Sequence, residues 1–533
     1  MYDILIRNAL VVDGSGAPGY VGDVAVKSGK LVTNPTSGEA KQVIDATGLV
    51  LSPGFIDAHC HEDETLGNRA SVLSKISQGI TTVSAGQCGE SVYPISTDPK
   101  KADLLKQFLA EYMHAPDCGY KDRLSSFTGL AAFLNYAETR NTAYNYVMYT
   151  GHIPLRIAAM GYDNRTATNE EIEVMKTMLR EAMEHGSRGL SVGLIYSPSC
   201  YCDKHELIEL CKVVAAYHGF LGVHLRNEAG DFENSVQEAI DICKAAGCGL
   251  NLSHHKVCGS ENWGKTKITL QMIKDAKAEG MEIYTDVYPY LATGNYLNIC
   301  LPKEFFSNGP EKMAELLRDP AVRAEMKEKI LNNPEGRYRN CGGFENIKIC
   351  GAPFTPEAVG MTVSEYARSV GKDEFEAYFD LCCANGNVAQ AAYFAMCEDD
   401  LDRCLLDENA VICTDSYDIS EDNAVHPRCF GSFPLCLGEY VRERKLMPLE
   451  AMVNKMTGLA ARFLHLHTKG RIADGYDADL VLFNPDTVAA KADFQNPRLL
   501  SEGIEMVFVA GELVYENKML TGKFPGKFIP YRA

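Results

Sequence analysis

The segment Gly54-Phe55-Ile56-Asp57-Ala58-His59-Cys60-His61 decides the fold class of this chain. It joins a short apolar run to two histidines that are two positions apart. Side chains at positions i and i+2 of a strand share a face, so His59 and His61 can point at one metal ion. Asp57 lies deeper in the run, and we interpret it as structural. The segment therefore predicts a strand that ends in a metal site.

Seven further segments of the same kind follow along the chain. Each is rich in β-forming residues and ends in polar or sulfur-containing residues, and they cover 81–88, 146–152, 189–196, 221–224, 250–255, 282–288 and 411–415. Stretches with helical periodicity separate most of them, as at 169–185, 204–218, 232–246 and 267–279. Strand and helix alternation of this length is typical of a parallel sheet with crossover helices. The pattern predicts a (β/α)8 barrel of the TIM type, whose active site lies at the carboxyl ends of the strands.

Both ends of the chain have a different pattern. Residues 1–54 and 468–533 consist of short apolar runs separated by turn residues, and they predict one small β-sandwich domain formed from both chain ends. The barrel then spans 55–467. Residues from about 300 to 390 show helical periodicity ahead of the last strand, and they predict an extended excursion over the mouth of the barrel.

Composition restricts the function classes. The chain has 533 residues, of which 46% are hydrophobic and 23% charged, which is enough for a large buried core. Its formal net charge of -19 disfavours binding to nucleic acid or to anionic membrane surfaces. The start of the chain lacks the features of a signal peptide, and no apolar run approaches the length of a membrane helix, so a cytoplasmic location is expected. The sequence leaves the oligomeric state open.

Cysteine and histidine spacing needs strand context before it indicates a site. The 19 cysteines are odd in number and include no Cys-x-x-Cys pair, so most are expected to be reduced core thiols. Cys88 differs because it follows a strand end and precedes Gly89. His465 and His467 repeat the His-x-His spelling after a helical segment, where residues two apart do not face each other. We interpret those two histidines as structural.

Two long motifs carry a family resemblance. Residues 53–61 (PGFIDAHCH) and 470–481 (GRIADGYDADLV) resemble the amidohydrolase superfamily. Within it the chain looks like the D-aminoacylases, which are N-acyl-D-amino acid deacylases. That narrower resemblance rests on 76–83 (ISQGITTV), 86–89 (GQCG), 224–228 (HLRNE), 253–256 (SHHK), 288–290 (YPY) and 426–428 (HPR). Together these pieces extend over almost the whole chain.

The resemblance implies a set of site residues. A tightly held Zn²⁺ is expected on Cys88, His224 and His254, and a weaker second site on His59 and His61, with Asp415 as a further metal contact. Asp415 would also accept the proton of the attacking water and pass it to the departing amine. Arg403 would hold the substrate carboxylate, and further substrate contacts are expected from Lys256, Tyr288, Tyr393, Met396, Ile195 and Tyr196.

Three functional classes stay open at this point. The leading one is a zinc-dependent amidohydrolase that splits small linear N-acyl-D-amino acids into a carboxylate and a free D-amino acid. The alternative is a cyclic-amide hydrolase of the hydantoinase or dihydropyrimidinase type, against which Cys88 and Arg403 argue because that type usually keeps a bridging lysine. A non-catalytic scaffold relative would have lost metal ligands. The preferred acyl group and side chain also stay open, and a helix-surface ion pair is the competing interpretation of Arg403.

Overall fold

A computed structural model of the chain describes residues 1–109, 123–307, 309–386, 388–417 and 426–532. Its strands, numbered in chain order, are β1 (Tyr2–Val11), β2 (Tyr20–Lys27), β3 (Lys30–Val32), β4 (Ala40–Asp45), β5 (Val50–Pro53), β6 (Phe55–Asp57), β7 (Ile80–Ala85), β8 (Asn145–Met148), β9 (Thr150–Gly151), β10 (Gly189–Gly193), β11 (Phe220–His224), β12 (Gly249–Leu252), β13 (Ile283–Val287), β14 (Ala292–Tyr296), β15 (Ile347–Gly351), β16 (Gln390–Phe394), β17 (Ala410–Ile412), β18 (Leu480–Phe483), β19 (Ile504–Val509), β20 (Glu512–Glu516) and β21 (Met519–Leu520).

The α-helices of the described residues lie mostly between the barrel strands and in an insert before the last one. They are Arg69–Ile76, Pro99–Phe108, Leu130–Ala137, His152–Met160, Asn169–Glu184, Lys204–Ala216, Phe232–Ala246, Thr266–Ala278, Pro310–Leu316, Pro320–Asn332, Arg337–Asn340, Val363–Val370, Glu374–Asn385, Glu398–Leu406, Arg428–Leu435, Leu449–Met456 and Gly458–Phe463. None of these described helices combines the length and the hydrophobicity that crossing a lipid bilayer requires.

The central element is a closed barrel of parallel strands. Within the described ranges, its eight strand positions are β6, β7, β8 continued by β9, β10, β11, β12, β13 and β17. The first and last positions meet through two backbone hydrogen bonds, from Ala58 N to Ile412 O at 3.4 Å and from Asp415 N to His59 O at 2.9 Å. The predicted (β/α)8 barrel is therefore confirmed, and closure places the loops after β6 and β17 side by side.

Side chains along each barrel strand point alternately outward, to the core beneath the helices, and inward, to the barrel axis. Leu190 and Val192 of β10 and Leu221 and Val223 of β11 pack in the layer beneath the helices. Ser191, between the first two, points inward and donates a hydrogen bond of 2.6 Å to a backbone carbonyl after β7. Because parallel strands are covered on both faces, these strands are fully buried. The polar inward side chains support the loops at the barrel mouth.

Both chain ends share one mixed sheet. Across the described residues, β1 to β5 and β18 to β21 make nine strands, joined where β5 pairs antiparallel with β18. Leu480 and Leu482 pack against apolar residues of β1 to β3. Val481 and Phe483 belong to the core shared with the barrel, where the Phe483 ring centroid lies 6.3 Å from that of Phe55. One face of the sheet therefore forms the interior of the end domain and the other packs on the barrel.

The insert lies between β13 and β17 and has its own core. Strands β14, β16 and β15 form an antiparallel sheet with β16 in the centre, and the helices of 310–385 pack around it. It touches the barrel mouth through Asn295, whose Nδ2 donates to the Tyr196 hydroxyl at 2.9 Å, and through Tyr296, whose hydroxyl donates to Glu90 Oε1 at 3.0 Å. The excursion thus starts at β14, before residue 300, and it covers the mouth.

Candidate active site and metal centre

Three buried imidazoles, each from a different barrel strand, converge on the sulfur atom of Cys88. Cys88 Sγ lies 3.3 Å from His59 Nε2, 3.3 Å from His254 Nε2 and 3.6 Å from His224 Nδ1. The ligand atoms of His59, Cys88, His254 and Asp415 all lie within 4.8 Å of one another. The structure therefore brings together the predicted metal ligands at the carboxyl ends of the strands.

The donor set and its spacing fit zinc. With Zn–S and Zn–N bonds of about 2.3 and 2.0 Å at tetrahedral angles, sulfur and nitrogen ligands of one ion lie roughly 3.5 Å apart. The distances from Cys88 Sγ to His224 and His254 are 3.6 and 3.3 Å. Burial, followed by the nearby Asp415 and Glu90 carboxylates, raises the pKa of the Cys88 thiol well above its usual value. A bound cation is what would hold this sulfur as a thiolate ligand.

The backbone is strained at three of these positions. Cys88, His254 and Asp415 have φ values of 53°, 35° and 48°, in the left-handed region that non-glycine residues rarely adopt. Gly86 and Gly89 flank Cys88 with φ of 74° and 80°, and a Cβ atom at either would overlap neighbouring backbone. Strain of this kind costs on the order of 1–3 kcal/mol per residue and clusters at functional sites. The sharp turns after the strands are what direct these ligand atoms to one point.

Asp415 contacts both histidines of the predicted weaker metal position. Its Oδ1 is 3.4 Å from His59 Nε2 and 3.5 Å from His61 Nε2. His61 Nδ1 is in turn 3.4 Å from Glu90 Oε2. Burial raises the pKa of Glu90 to about 7 although the charge of His61 lowers it. Glu90 was not predicted; its position two residues after Cys88 was the available signal.

Glu228 is a second unpredicted carboxylate in the site. Its Oε1 lies 3.3 Å from His254 Nδ1 and accepts a hydrogen bond of 2.5 Å from Lys256 Nζ, while its Oε2 is 3.4 Å from Arg337. Although burial raises the pKa of Glu228, the Lys256 ammonium lowers it to well below the usual 4.5. Lys256 Nζ also lies 2.7 Å from His254 Nδ1, so Glu228 and Lys256 both contact the ring nitrogen that faces away from Cys88 and leave Nε2 on the side of the sulfur. The sequence signal was the spacing of Glu228 four residues after His224.

Arg428 provides a buried cation beside Asp415. Its Nη1 is 2.7 Å from Asp415 Oδ2, and its guanidinium carbon lies 4.8 Å from the centre of the Tyr288 ring. Arg428 Nε, the Tyr288 hydroxyl and the Thr293 hydroxyl find no hydrogen-bond partner among the described residues. All three side chains line an inner cavity of about 30 Å³. Leaving buried donors unpaired costs about 1–3 kcal/mol each, so the cluster indicates a place for an anionic group of a ligand.

The structure does not bring Arg403 to this site. Arg403 lies in the last turn of Glu398–Leu406, where its Nη1 is 2.5 Å from Asp400 Oδ1 and 2.6 Å from Thr266 Oγ1. The helix packs on the outer helix Thr266–Ala278, and Arg403 is in the wall of neither cavity described for this region. Its contacts are those of the helix ion pair that was the competing interpretation, and the structure does not place Arg403 with the predicted metal ligands.

The other predicted substrate contacts divide into wall residues and supports. Ile195 and Tyr196 line an outer cavity of about 700 Å³ between the barrel loops and the insert, and Lys256 and Tyr288 line the inner cavity. Tyr393 lies in β16 behind the wall, and its hydroxyl donates to the backbone carbonyl of Tyr296 at 2.6 Å. Met396 packs against the core of the insert. Because neither residue lines either of these cavities, these two side chains support the wall rather than form it.

The two cavities are neighbours. The residues common to both walls are Tyr196, Glu228, Tyr296 and Arg337. The outer cavity is of the size that binds small molecules, and much of its wall is apolar, including Phe108, Tyr162, Ile299, Leu301 and Phe306. The inner cavity holds the reactive groups, and the outer one leaves room for the substituents of a ligand.

Two residues interpreted as structural from the sequence have contacts of that kind. Asp57 Oδ2 is 2.6 Å from the buried Lys75 Nζ, and its Oδ1 accepts a hydrogen bond of 2.8 Å from the backbone N–H of Thr414. His465 lies 3.0 Å from the Tyr531 hydroxyl and 3.4 Å from Glu282. Asp57 thus fixes the loop that carries Asp415, and His465 contacts the C-terminal segment instead of the site.

Known proteins resemble this chain over its whole length. A model described as the Amidohydrolase family matches residues 419–515. The D-aminoacylase of Alcaligenes xylosoxydans xylosoxydans is 32% identical over 536 residues, covering 100% of this chain and 98% of that protein. The structure of N-acyl-D-glutamate deacylase from Bordetella bronchiseptica, complexed with zinc and a phosphonate that mimics the tetrahedral intermediate, has a TM-score of 0.84 at 31% identity and 99% coverage of each chain. A D-aminoacylase structure whose binuclear metal centre is described by one-metal activation and second-metal attenuation has a TM-score of 0.82 at 31% identity and 100% coverage of each chain.

Proposed function

We propose, because the chain belongs to the D-aminoacylase family of amidohydrolases, that it is a zinc-dependent hydrolase acting on N-acyl-D-amino acids. It removes the acyl group and yields a carboxylate and a free D-amino acid. The observation that carries this function is the convergence of Cys88, His224 and His254 on one point beside Asp415, in a cavity with Arg428 in its wall.

The metal positions follow from the donor atoms. Cys88, His224 and His254 would hold the tight zinc, and His59 and His61, with Asp415 beside both of them, would hold the weaker one. When bound, zinc polarises the amide carbonyl and lowers the pKa of the attacking water. The thiolate of Cys88 takes the place that a bridging lysine usually occupies in the hydantoinase type, which supports the linear-amide reaction.

Asp415 moves the proton. Burial alone would raise the pKa of Asp415, but Arg428 and the neighbouring imidazoles lower it well below the usual 3.8, so the carboxylate is ionised at neutral pH. It accepts a proton from water as the water oxygen bonds to the amide carbon. It then delivers that proton to the nitrogen as the C–N bond breaks. The immediate products are a carboxylic acid and an amine, the acid proton then passes to the amine to leave a carboxylate and an ammonium group, and Asp415 returns to its starting state.

Recognition of the substrate carboxylate depends on local cations. A chain with a formal charge of -19 repels anions at long range, so binding needs positive groups inside the cavity. Arg428, with the Tyr288 and Thr293 hydroxyls, offers unpaired donors to a carboxylate, and Lys256 is a further cation in the same wall. The rest of a small N-acyl amino acid would extend past Tyr196 into the outer cavity.

A substrate panel tests this function. Zinc-loaded protein would be incubated with paired D and L N-acetyl amino acids and with simple hydantoins, and the free amino acid would be quantified. Release from the D compounds is expected, with little from the L compounds and no ring opening, and Cys88→Ala supplies the background. Hydantoin opening without cleavage of linear N-acyl compounds would assign the cyclic-amide reaction instead.

A further inference from the structure

We propose that Asp286 is a positioning residue that selects the tautomer of His59 and holds the backbone of His254, so that the Nε2 atoms of both rings face the metal centre. The inference rests on the metal ligands of the proposed function and is independent of the substrate. Asp286 lies in β13, is fully buried and is in the wall of neither cavity. It therefore acts through the ligands and not on the substrate.

Four hydrogen-bond donors surround the Asp286 carboxylate. Its Oδ2 accepts from Asn251 Nδ2 at 2.6 Å and lies 3.3 Å from His59 Nδ1. Its Oδ1 accepts from the backbone N–H of His254 at 2.7 Å and from Cys413 Sγ at 3.3 Å. An ionised carboxylate only accepts hydrogen bonds, so every neighbour must present a hydrogen atom to it.

Two carboxylates lie near the His59 ring, and they differ in geometry: Asp286 Oδ2 is within hydrogen-bond geometry of Nδ1, whereas Asp415 Oδ1 is only within ion-pair distance of Nε2. A neutral imidazole carries one N–H, and the contact with Asp286 places it on Nδ1. The Nε2 lone pair of His59 is then free on the side where Cys88 Sγ lies at 3.3 Å and Asp415 Oδ1 at 3.4 Å. The opposite tautomer would direct an N–H at the metal position and could not bind an ion there.

The second oxygen acts on His254. This residue has φ of 35°, a strained conformation for a side chain with a Cβ atom. Its backbone N–H points at Asp286 Oδ1, and its ring Nε2 lies 3.3 Å from Cys88 Sγ. A charge-assisted hydrogen bond to the backbone helps to hold this conformation and so the direction of the ring.

The charge of Asp286 also indicates a role beyond packing. Among the described residues, its only ion-pair partner is His59, and neither lysine nor arginine lies within ion-pair distance. Burying a carboxylate without a lysine or arginine is costly unless hydrogen bonds replace its lost hydration, and here the donors that replace it lead to the metal ligands His59 and His254. A carboxylate kept here behind a ligand imidazole is the arrangement that orients metal-bound histidines and raises their basicity.

The tautomer can be measured in the wild-type protein, so this test does not depend on how a variant folds. Long-range ¹H–¹⁵N correlation spectra of metal-free protein with ¹⁵N-labelled histidine, recorded at an alkaline pH at which the imidazole rings are neutral, distinguish the Nδ1–H and Nε2–H forms. His59→Asn identifies the His59 signals by their loss. The Nδ1–H form is expected, and an Nε2–H form at His59 would overturn the proposal.

Zinc competition with a chelator provides the second test. In Asp286→Asn, the amide oxygen can still accept from the His254 backbone, but the amide nitrogen faces His59 and forces the other tautomer. The weaker zinc equivalent should lose about 10- to 100-fold in affinity, as for other carboxylates that orient metal ligands, with the tight equivalent unchanged. Asp286→Ala should lower the zinc affinity of both equivalents. Cys413→Ala removes a hydrogen-bond donor to Asp286 that is not itself a predicted metal ligand, so it should lower the affinity of neither equivalent.

The outcomes separate this inference from the function itself. Wild-type affinity for both equivalents in Asp286→Asn, or an equal loss of both, would overturn the positioning role, since a merely structural change would not distinguish the two equivalents. If Cys88→Ala and His254→Ala keep the tight zinc, the proposed ligand set is wrong and the function proposal fails with it. If those two lose zinc while Asp286→Asn does not respond, only the present inference fails.

Discussion

Among its described residues the barrel contains two buried clusters that combine histidine, cysteine and carboxylate, and of these two the cluster around Cys88 has the properties of a metal site. Around Cys88 the ligand atoms come from separate strand ends, and around Cys202 they come from His152 and Glu206; in each cluster they lie within 4.8 Å of one another. In the second cluster His152 Nε2 lies 2.8 Å from Glu206 Oε1, and Arg156 lies 2.5 Å from the other oxygen of that carboxylate. Residue types and burial alone do not distinguish the two.

Charge and backbone conformation do distinguish them. In the second cluster the guanidinium of Arg156 neutralises Glu206, and His152 Nδ1 has a partner in the Ser199 hydroxyl at 2.8 Å. In the first, one sulfur faces three imidazole nitrogens, and Cys88 lies in a strained left-handed conformation. A cluster that is neutral and relaxed needs no ion, whereas a strained group of converging lone pairs is stabilised by one.

The largest effect on zinc content and turnover is expected from replacing one of the two cysteines, Cys88, by alanine. Cys88→Ala should lose the tight zinc together with turnover, because it removes the one anionic ligand of that position. Cys202→Ala is the matched control and should keep zinc and turnover, with a destabilisation of about 1 kcal/mol. Metal analysis of both purified variants measures the difference. Full zinc content in Cys88→Ala would contradict the assignment of the Cys88 cluster, and not the Cys202 cluster, as the metal site.

The carboxylates provide the next comparison. Asp415→Asn should keep the tight zinc but lose about 10²- to 10⁴-fold in kcat, because an amide cannot take a proton from the attacking water. Glu206→Gln, the corresponding change in the second cluster, should leave kcat unchanged. Steady-state kinetics with metal content measured on the same samples tests both. Near-normal turnover in folded, zinc-loaded Asp415→Asn would refute its role as base.

Two arginines sharpen the comparison for recognition. Arg428→Leu should lower kcat/KM for N-acyl amino acids by the equivalent of roughly 2–5 kcal/mol, as for a charge pair that loses one buried partner. Arg403→Leu, which changes a helix-surface ion pair, should have almost no effect. The ratio of activity on an acid to that on its carboxamide should collapse only in Arg428→Leu. An unchanged ratio in Arg428→Leu would indicate that Lys256, not Arg428, binds the substrate carboxylate.

The smallest effect on catalysis, and a clear one on stability, is expected at Glu206. Glu206→Gln leaves Arg156 without its buried partner and should cost about 3–5 kcal/mol, seen as a lower thermal midpoint. Burial raises the pKa of Glu206, but the hydrogen bonds and charges of His152 and Arg156 lower it by more, so the net pKa lies below the usual 4.5. Its stabilisation is therefore present above about pH 4.5 and is lost as the pH falls. The midpoints of wild type and variant should converge below that pH; a constant difference would show that the charge is not responsible.

Local patterns in the sequence predicted the elements better than the contacts between them. The helix Phe232–Ala246 was predicted with its observed bounds, because apolar periodicity and the Gly247 after it are local signals. Such local signals could not show which of Arg403 and Arg428 lies at the active site. A crossover helix runs back from the barrel mouth, so Arg403 in the last turn of its helix lies at the end away from the site, whereas Arg428 is the first residue of the helix Arg428–Leu435 and contacts Asp415. Asp286 and Glu228 were missed because their partners come from other strands.

The pairing of β5 with β18 has a consequence for how the chain is made. The strand Val50–Pro53 cannot pair with Leu480–Phe483 until the ribosome has added that segment, roughly 430 residues later. At about 5–20 residues per second, the N-terminal strands spend roughly 20–90 seconds with an open edge during synthesis. The barrel strand β6 begins only two residues after β5, so that edge is tethered to the growing barrel. Ribosome-bound chains stopped before residue 480 should therefore be more easily cut by protease at residues 1–54 than released full-length protein.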